Sequence, residues 1–116
     1  MSTIAEEGWR LVAKLEELQE GQPVAVSLGS TEIGLFRVGD EVFAINNICT
    51  HGLARLTDGY QDGFTIECPL HQGVFDVRSG KCVAPPVDVD AAAYDVQVVD
   101  GSILISMREL SPNPKP

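Results

Sequence analysis

Short apolar runs separated by turn signals recur along most of the chain. The turn signals are dipeptides that pair glycine with aspartate or serine, and such pairs favour hairpin turns: Gly39-Asp40, Asp58-Gly59, Asp62-Gly63, Ser79-Gly80 and Asp100-Gly101. The runs themselves are rich in β-branched or aromatic residues and predict strands at residues 23–28, 33–38, 41–45, 64–68, 74–77, 94–99 and 103–106. Short strands in this number indicate an all-β fold, either a sandwich or a barrel.

The two ends of the chain differ from this pattern. Between residues 3 and 20, Leu11, Leu15 and Leu18 recur at helical spacing among glutamates, so periodicity alone predicts a helix there. Residues 111–116, "SPNPKP", have no apolar side chain and carry alternating prolines, which predicts a disordered tail. Because 116 residues is the size of one ordinary domain, residues 1–110 are expected to form a single domain.

The net charge and the number of cysteines limit the partners, the cellular location and the cofactors that the chain can be expected to have. A net charge of −9 argues against a nucleic-acid partner, because phosphates would repel the chain, and favours solubility or a partner with a basic docking surface. No apolar run approaches the roughly 20 residues of a membrane span, and the N-terminus lacks the pattern of a signal peptide, so we expect a cytoplasmic protein. Three cysteines in a reducing cytoplasm cannot all pair, which favours metal ligation over a disulfide framework.

Both histidines and two of the three cysteines fall within one short window. It reads Cys49-x-His51, then sixteen residues, then Cys68-x-x-His71. A structural zinc site usually takes its cysteines as a close pair and its histidines from a following helix, which this order does not match. A dinuclear iron–sulfur cluster explains the alternation better, because each of two loops can give a thiolate to one iron and an imidazole to the other. Zinc is the alternative.

The text around this window resembles the Rieske ferredoxins of bacterial multicomponent aromatic-ring dioxygenases, such as the naphthalene and biphenyl systems. The likeness rests on "CTHGLARLTDGY", "IECPLHQGVFDVRSGK" and "APPV", and runs from about Trp9 to Ile105. It implies a Rieske fold: an antiparallel β-sandwich with a small two-loop subdomain that binds one [2Fe-2S] cluster. It also implies a strand at residues 9–13 and a turn around residues 16–21, which replace the helix predicted by periodicity.

The resemblance further assigns roles to individual residues. It implies that Cys49 and Cys68 bind one iron while His51 and His71 bind the other, and that Pro85 and Pro86 belong to a loop that covers the cluster. Outside the ligand set, Cys82 fits no ligand spacing and is expected to be a partly buried thiol. The nearby glycines Gly52, Gly73 and Gly80 are expected to let the backbone turn tightly.

The composition leaves little room for catalysis by this chain alone. A Rieske oxygenase needs a second iron held by two further histidines, yet the cluster would use both histidines of this sequence. No G-x-G-x-x-G fingerprint for a flavin or nicotinamide is present. The expected function is therefore a one-electron carrier, a monomer that passes electrons from a flavin-dependent reductase to a terminal oxygenase, both partners being implied by the resemblance. A zinc-stabilised binding module and a redox sensor are the competing classes of protein. A visible spectrum of the purified protein tests the first, because a zinc protein would be colourless.

The likeness also predicts a low reduction potential. High-potential Rieske proteins carry a disulfide at the positions that look like Ala54 and Leu70, and a serine and a tyrosine that donate hydrogen bonds to sulfur at those that look like Gly73 and Phe75. None of these side chains can supply either feature here. We therefore expect a potential near the low end of the Rieske range, about −150 mV.

Overall fold

The computed structural model describes residues 9–49, 54–70, 73–84 and 89–109, and this part of the chain is built almost entirely of antiparallel strands. The strands are β1 (Trp9–Lys14), β2 (Val24–Leu28), β3 (Thr31–Val38), β4 (Glu41–Asn46), β5 (Tyr60–Asp62), β6 (Thr65–Glu67), β7 (Val74–Asp76), β8 (Cys82–Ala84), β9 (Ala93–Val99) and β10 (Ser102–Glu109). Two short 3₁₀ turns, Leu15–Glu17 and Leu56–Asp58, complete it. Within these described ranges no helix is long and apolar enough to cross a membrane.

The larger of two sheets has the strand order β1-β10-β9-β4-β3-β2. Strands β4 and β9 pair at only two positions, Ala44 with Tyr94 and Ile45 with Ala93, so the sheet folds over on itself at that joint. One core collects buried side chains from both halves, including Leu35 from β3 and Ile103 from β10. The two halves therefore pack face to face, which confirms the expected antiparallel sandwich.

The smaller sheet has the order β5-β6-β7-β8 and forms the subdomain implied by the resemblance. Each of its strands has three residues, too short to be stable without packing against the rest of the protein. Its inward side chains, Ile66 and Phe75, share a second core with Phe36 and Ile45 of the sandwich. The subdomain is thus fixed to the sandwich by buried apolar contacts.

The N-terminal segment is a strand followed by a 3₁₀ turn, so the helix predicted by periodicity is wrong over the described residues, while the strand implied by the resemblance is confirmed. β1 pairs antiparallel with β10, which places Leu11 half in solvent, at 51% exposure, and leaves Leu18 buried. Arg37 fixes the turn, because its Nη1 donates to the carbonyl oxygens of Leu15 and Leu18 at 3.1 and 3.0 Å. Residues 3–8 and the predicted tail at 111–116 lie outside the described residues.

A stacked group of side chains joins strand β4 of the larger sheet to the β5–β6 turn of the smaller one. Phe43 of β4 meets Phe64 edge-on, with 5.8 Å between ring centroids, and the Arg78 guanidinium lies 4.2 Å from the Phe64 centroid. Asp76 holds the guanidinium through hydrogen bonds from Nε at 3.1 Å and Nη2 at 2.8 Å. The hydrogen bond from the Arg78 side chain is also the main reason that the pKa of Asp76 is lowered from its ordinary value.

Gly59 permits a close approach between the end of the 3₁₀ turn and β6. Its φ of −93° is open to any residue, but a Cβ there would overlap the carbonyl oxygen of Glu67. We predict that Gly59→Ala lowers the free energy of unfolding by about 3 kcal/mol or more, through overpacking against backbone. Gly39→Ala is the control, because Gly39 has open space around it and a φ of +62°, and should cost only about 1–2 kcal/mol. Urea denaturation measures both; equal losses would contradict the steric explanation.

Candidate metal centre

The first candidate ligand loop covers residues 49–54 and begins three residues after β4 ends. The Cys49 N–H donates to the Ala54 carbonyl oxygen at 2.8 Å, and Ile48 forms an antiparallel bridge with Arg55 directly below. The chain then enters the 3₁₀ turn at Leu56–Asp58. Cys49 therefore stands at the point where a closed loop leaves the sandwich.

The second candidate loop covers residues 68–73 and connects β6 to β7. The Cys68 N–H donates to the Gly73 carbonyl oxygen, again at 2.8 Å, above the pair Glu67–Val74 of the β6–β7 ladder. Both loops thus begin with a cysteine whose N–H closes the loop on the carbonyl five residues later. The two halves of the motif thus share one closing hydrogen bond, which their different spacing, C-x-H against C-x-x-H, does not suggest.

The two cysteines lie in one apolar core. Cys49 is 2% exposed and Cys68 is fully buried, and both belong to the same cluster as Leu56, Ile66 and Phe75. A bare thiolate in such surroundings is unfavourable, whereas a thiolate bonded to a metal is neutralised and suits a dry site. Two buried sulfur donors from two separate loops fit a cluster that needs ligands on both sides.

Several residues that the sequence singled out fall outside the described ranges. His51, His71, Gly52, Pro85 and Pro86 are among them, so their roles stay predictions. The histidines nevertheless occupy, by sequence, the interior of the two closed loops, two and three residues after Cys49 and Cys68.

The remaining predicted residues are described. Gly73 is buried and closes the second loop through its carbonyl oxygen, and Gly80 has a φ of +79°, with no space for a Cβ beside the carbonyl of Ala91. Gly80 therefore lies in a tight turn, as expected, whereas the turn at Gly73 stays a prediction. Cys82 is partly buried on β8, opposite Phe75 of β7, which agrees with a thiol outside the two ligand loops.

Asn47 is the residue that sequence reasoning missed. It is fully buried and its amide makes three hydrogen bonds: Nδ2 donates to Glu32 Oε2 at 2.9 Å and to Thr57 Oγ1 at 3.0 Å, while Oδ1 accepts from the Thr57 N–H at 2.9 Å. Its main chain adds two more, to the Glu32 carbonyl oxygen and from the Leu56 N–H. The one sequence signal was a polar pair, "NN", at the end of an apolar strand two residues before the motif.

Two buried cysteines, each at the start of a segment closed by the same hydrogen bond, stand above a β-sandwich and fit an iron–sulfur protein. The chain belongs to the Rieske family: the model of the Rieske [2Fe-2S] domain matches residues 8–98. One [2Fe-2S] cluster is therefore its cofactor.

Similar proteins place the chain more narrowly within the family. It is 39% identical over 99 residues to the ferredoxin component of the naphthalene 1,2-dioxygenase system of Pseudomonas putida, covering 85% of this chain and 95% of the relative. The ferredoxin of carbazole 1,9a-dioxygenase from Nocardioides aromaticivorans superimposes with a TM-score of 0.85 at 39% identity, covering 88% of this chain and all of that one. The ferredoxin in a complex of reduced oxygenase and oxidized ferredoxin in carbazole 1,9a-dioxygenase gives 0.84 at 32% identity, covering 90% and 98%. The chain is thus a Rieske ferredoxin, an electron carrier rather than a catalytic oxygenase.

Proposed function

We propose that Cys49 and Cys68 bind one iron of the cluster and that His51 and His71 bind the other. The observation that carries this assignment is the matching closure of the two loops, each of which begins with a buried cysteine and encloses a histidine in its sequence. The cluster, when bound, accepts and releases one electron. The protein's own contribution is to hold two thiolates in a water-poor core and to keep the loops at a fixed separation.

We further propose that this electron passes from a flavin-dependent reductase to the terminal oxygenase of an aromatic-ring dioxygenase system. Support comes from the naphthalene system relative and from the carbazole structure, in which a ferredoxin is bound to its oxygenase. The sequence adds that both histidines are needed by the cluster, which leaves none for a second iron. On this proposal the chain acts in the cytoplasm as a monomer that docks to its two partners in turn.

Cysteine replacements test the ligand set. The purified protein is expected to be red-brown with two irons and two acid-labile sulfides, and Cys49→Ser or Cys68→Ser should lose most of that iron, because a serine oxygen is a poor substitute for thiolate. Cys82→Ser is the matched control and should keep the full iron content, since Cys82 lies on β8 outside both loops. Iron and sulfide analysis with a visible spectrum measures the outcome; one zinc without sulfide would contradict the proposal.

Phe75 offers a test of the expected low potential. It is fully buried and shares a core with both cysteines, so Phe75→Tyr introduces a hydroxyl close to the sulfur donors. A hydrogen bond to sulfur favours the reduced cluster, and about 1–1.5 kcal/mol corresponds to a rise of about 40–65 mV for one electron. Phe75→Leu, which removes the ring and adds no donor, should show no such rise. Protein-film voltammetry near neutral pH compares the three; a clearly positive wild-type potential would refute the low-potential assignment.

Leu70 tests where the partner docks. It lies in the second loop, between Cys68 and His71, and exposes 66% of its surface, so it stands where a docked protein would meet the loop. We predict that Leu70→Lys slows electron transfer to the oxygenase about tenfold or more, as for the loss of a central apolar contact, without changing the potential. Leu11→Lys is the control, because Leu11 is about as exposed but lies on β1 of the sandwich. Stopped-flow oxidation of the reduced ferredoxin decides; equal rates for the two variants would exclude docking over this loop.

A further inference from the structure

One carboxylate oxygen links both arms of the first ligand loop to the sandwich. Glu32 Oε2, on β3, accepts from Asn47 Nδ2 at 2.9 Å on the arm that enters the loop. The same oxygen accepts from Arg55 Nε at 2.8 Å on the arm that leaves it. Cys49 and His51 lie between these two attachment points in the sequence.

Asn47 also connects the two arms of the first ligand loop to each other. Its amide also bonds to both the N–H and the hydroxyl of Thr57, so the entering arm is tied to the leaving arm as well as to β3. Gly34 leaves room for it, because a Cβ at that position would come within 3.1 Å of Asn47 Oδ1 and 2.9 Å of the Phe36 ring. Both amide N–H groups and the amide oxygen of Asn47 thus have hydrogen-bond partners.

The second loop rests on a different kind of support. Its base is the β6–β7 ladder, with the pairs Glu67–Val74 and Ile66–Phe75, and Ile66 and Phe75 are both fully buried. Backbone pairing and apolar packing therefore hold the second loop. The first loop shares that apolar core through Cys49 and Leu56, and it has in addition a polar network made by Glu32, Asn47, Arg55 and Thr57.

We propose that Asn47 and Glu32 are positioning residues that set the orientation of the first ligand loop, and hence the geometry at Cys49 and His51, independently of the second loop. The inference rests on the proposed ligand set. We assign neither side chain a direct contact with the cluster. Each acts by fixing the backbone that carries the ligands, as outer partners of metal ligands commonly do.

The test uses Asn47→Asp, which keeps the shape and the Oδ1 acceptor but turns the donor that faces Glu32 into a second carboxylate oxygen. Like charges 2.9 Å apart repel, so the first loop should loosen. Hydrogen–deuterium exchange of the holoprotein should accelerate about tenfold or more in peptides that cover residues 45–58. Exchange over residues 64–77 should stay at the wild-type rate. The EPR g-values of the reduced protein should change, and a chelator should remove iron faster.

A double variant distinguishes positioning from a general loss of stability. In Asn47→Asp with Glu32→Gln, the amide nitrogen introduced at position 32 can donate to the new carboxylate, and the repulsion between like charges is removed. Because Asn47 and Arg55 bond the same Glu32 oxygen, Arg55 must then turn to the other oxygen at position 32. Exchange rates and g-values should return toward wild type. Ile103→Val, in the sandwich core, is the control and should alter neither. If Asn47→Asp does not fold, Thr57→Val removes one hydrogen-bond partner and should give the same changes at smaller amplitude.

The outcomes separate this inference from the function it rests on. Accelerated exchange in both loops, unchanged g-values with a loosened first loop, or a double variant that fails to recover would each overturn the positioning role. A wild-type protein without iron and sulfide would overturn the proposed ligand set itself. A normal cluster with no response to Asn47→Asp would overturn the positioning role alone.

Discussion

The burial of Cys49 and Cys68 in one apolar core is the constraint on which the rest of the arrangement depends. The two sulfur atoms come from segments nineteen residues apart in sequence, so each must be delivered by a loop with a fixed base. In both loops this base is closed by a hydrogen bond from the cysteine N–H to the carbonyl oxygen five residues later. The same requirement explains why strands β6 and β7 of the subdomain can be as short as three residues, because they need only be long enough to support one closed loop.

The two bases differ in how they resist movement. A β ladder with apolar packing yields to strain over several residues, whereas a buried amide with named partners loses a full hydrogen bond when it shifts. The first loop has the second kind of support, through Asn47 and Glu32, and also the longer return path to the next strand, at β5. A polar network is therefore placed where regular strand pairing has ended and cannot hold the chain.

Most of the fold could be predicted, and the exceptions have physical causes. The seven strands inferred from apolar runs are confirmed to within a few residues, because β-branched or aromatic content and turn dipeptides are local signals. β5 and β8 were missed: Tyr60–Asp62 has little apolar content and is a strand only by pairing with β6, and the three-residue Cys82–Ala84 is a strand only by pairing with β7. Asn47 was missed because its main partner, Glu32, is fifteen residues away. That Cys49 and Cys68 come together could be predicted, because the spacing of the motif is visible in sequence; their role as ligands stays a prediction.

Three arginines of this acidic protein serve to connect elements of its fold. Arg37 binds main-chain carbonyls of the N-terminal turn, Arg55 binds Glu32 below the first loop, and Arg78 binds Asp76 and stacks on Phe64. Each of these cations joins two elements of the fold. Three of the eight basic residues are thus engaged within the fold, although the side chains of Arg55 and Arg78 remain 57% and 52% exposed. With 17 acidic residues against 8 basic ones, carboxylates outnumber cations on the surface that a partner meets.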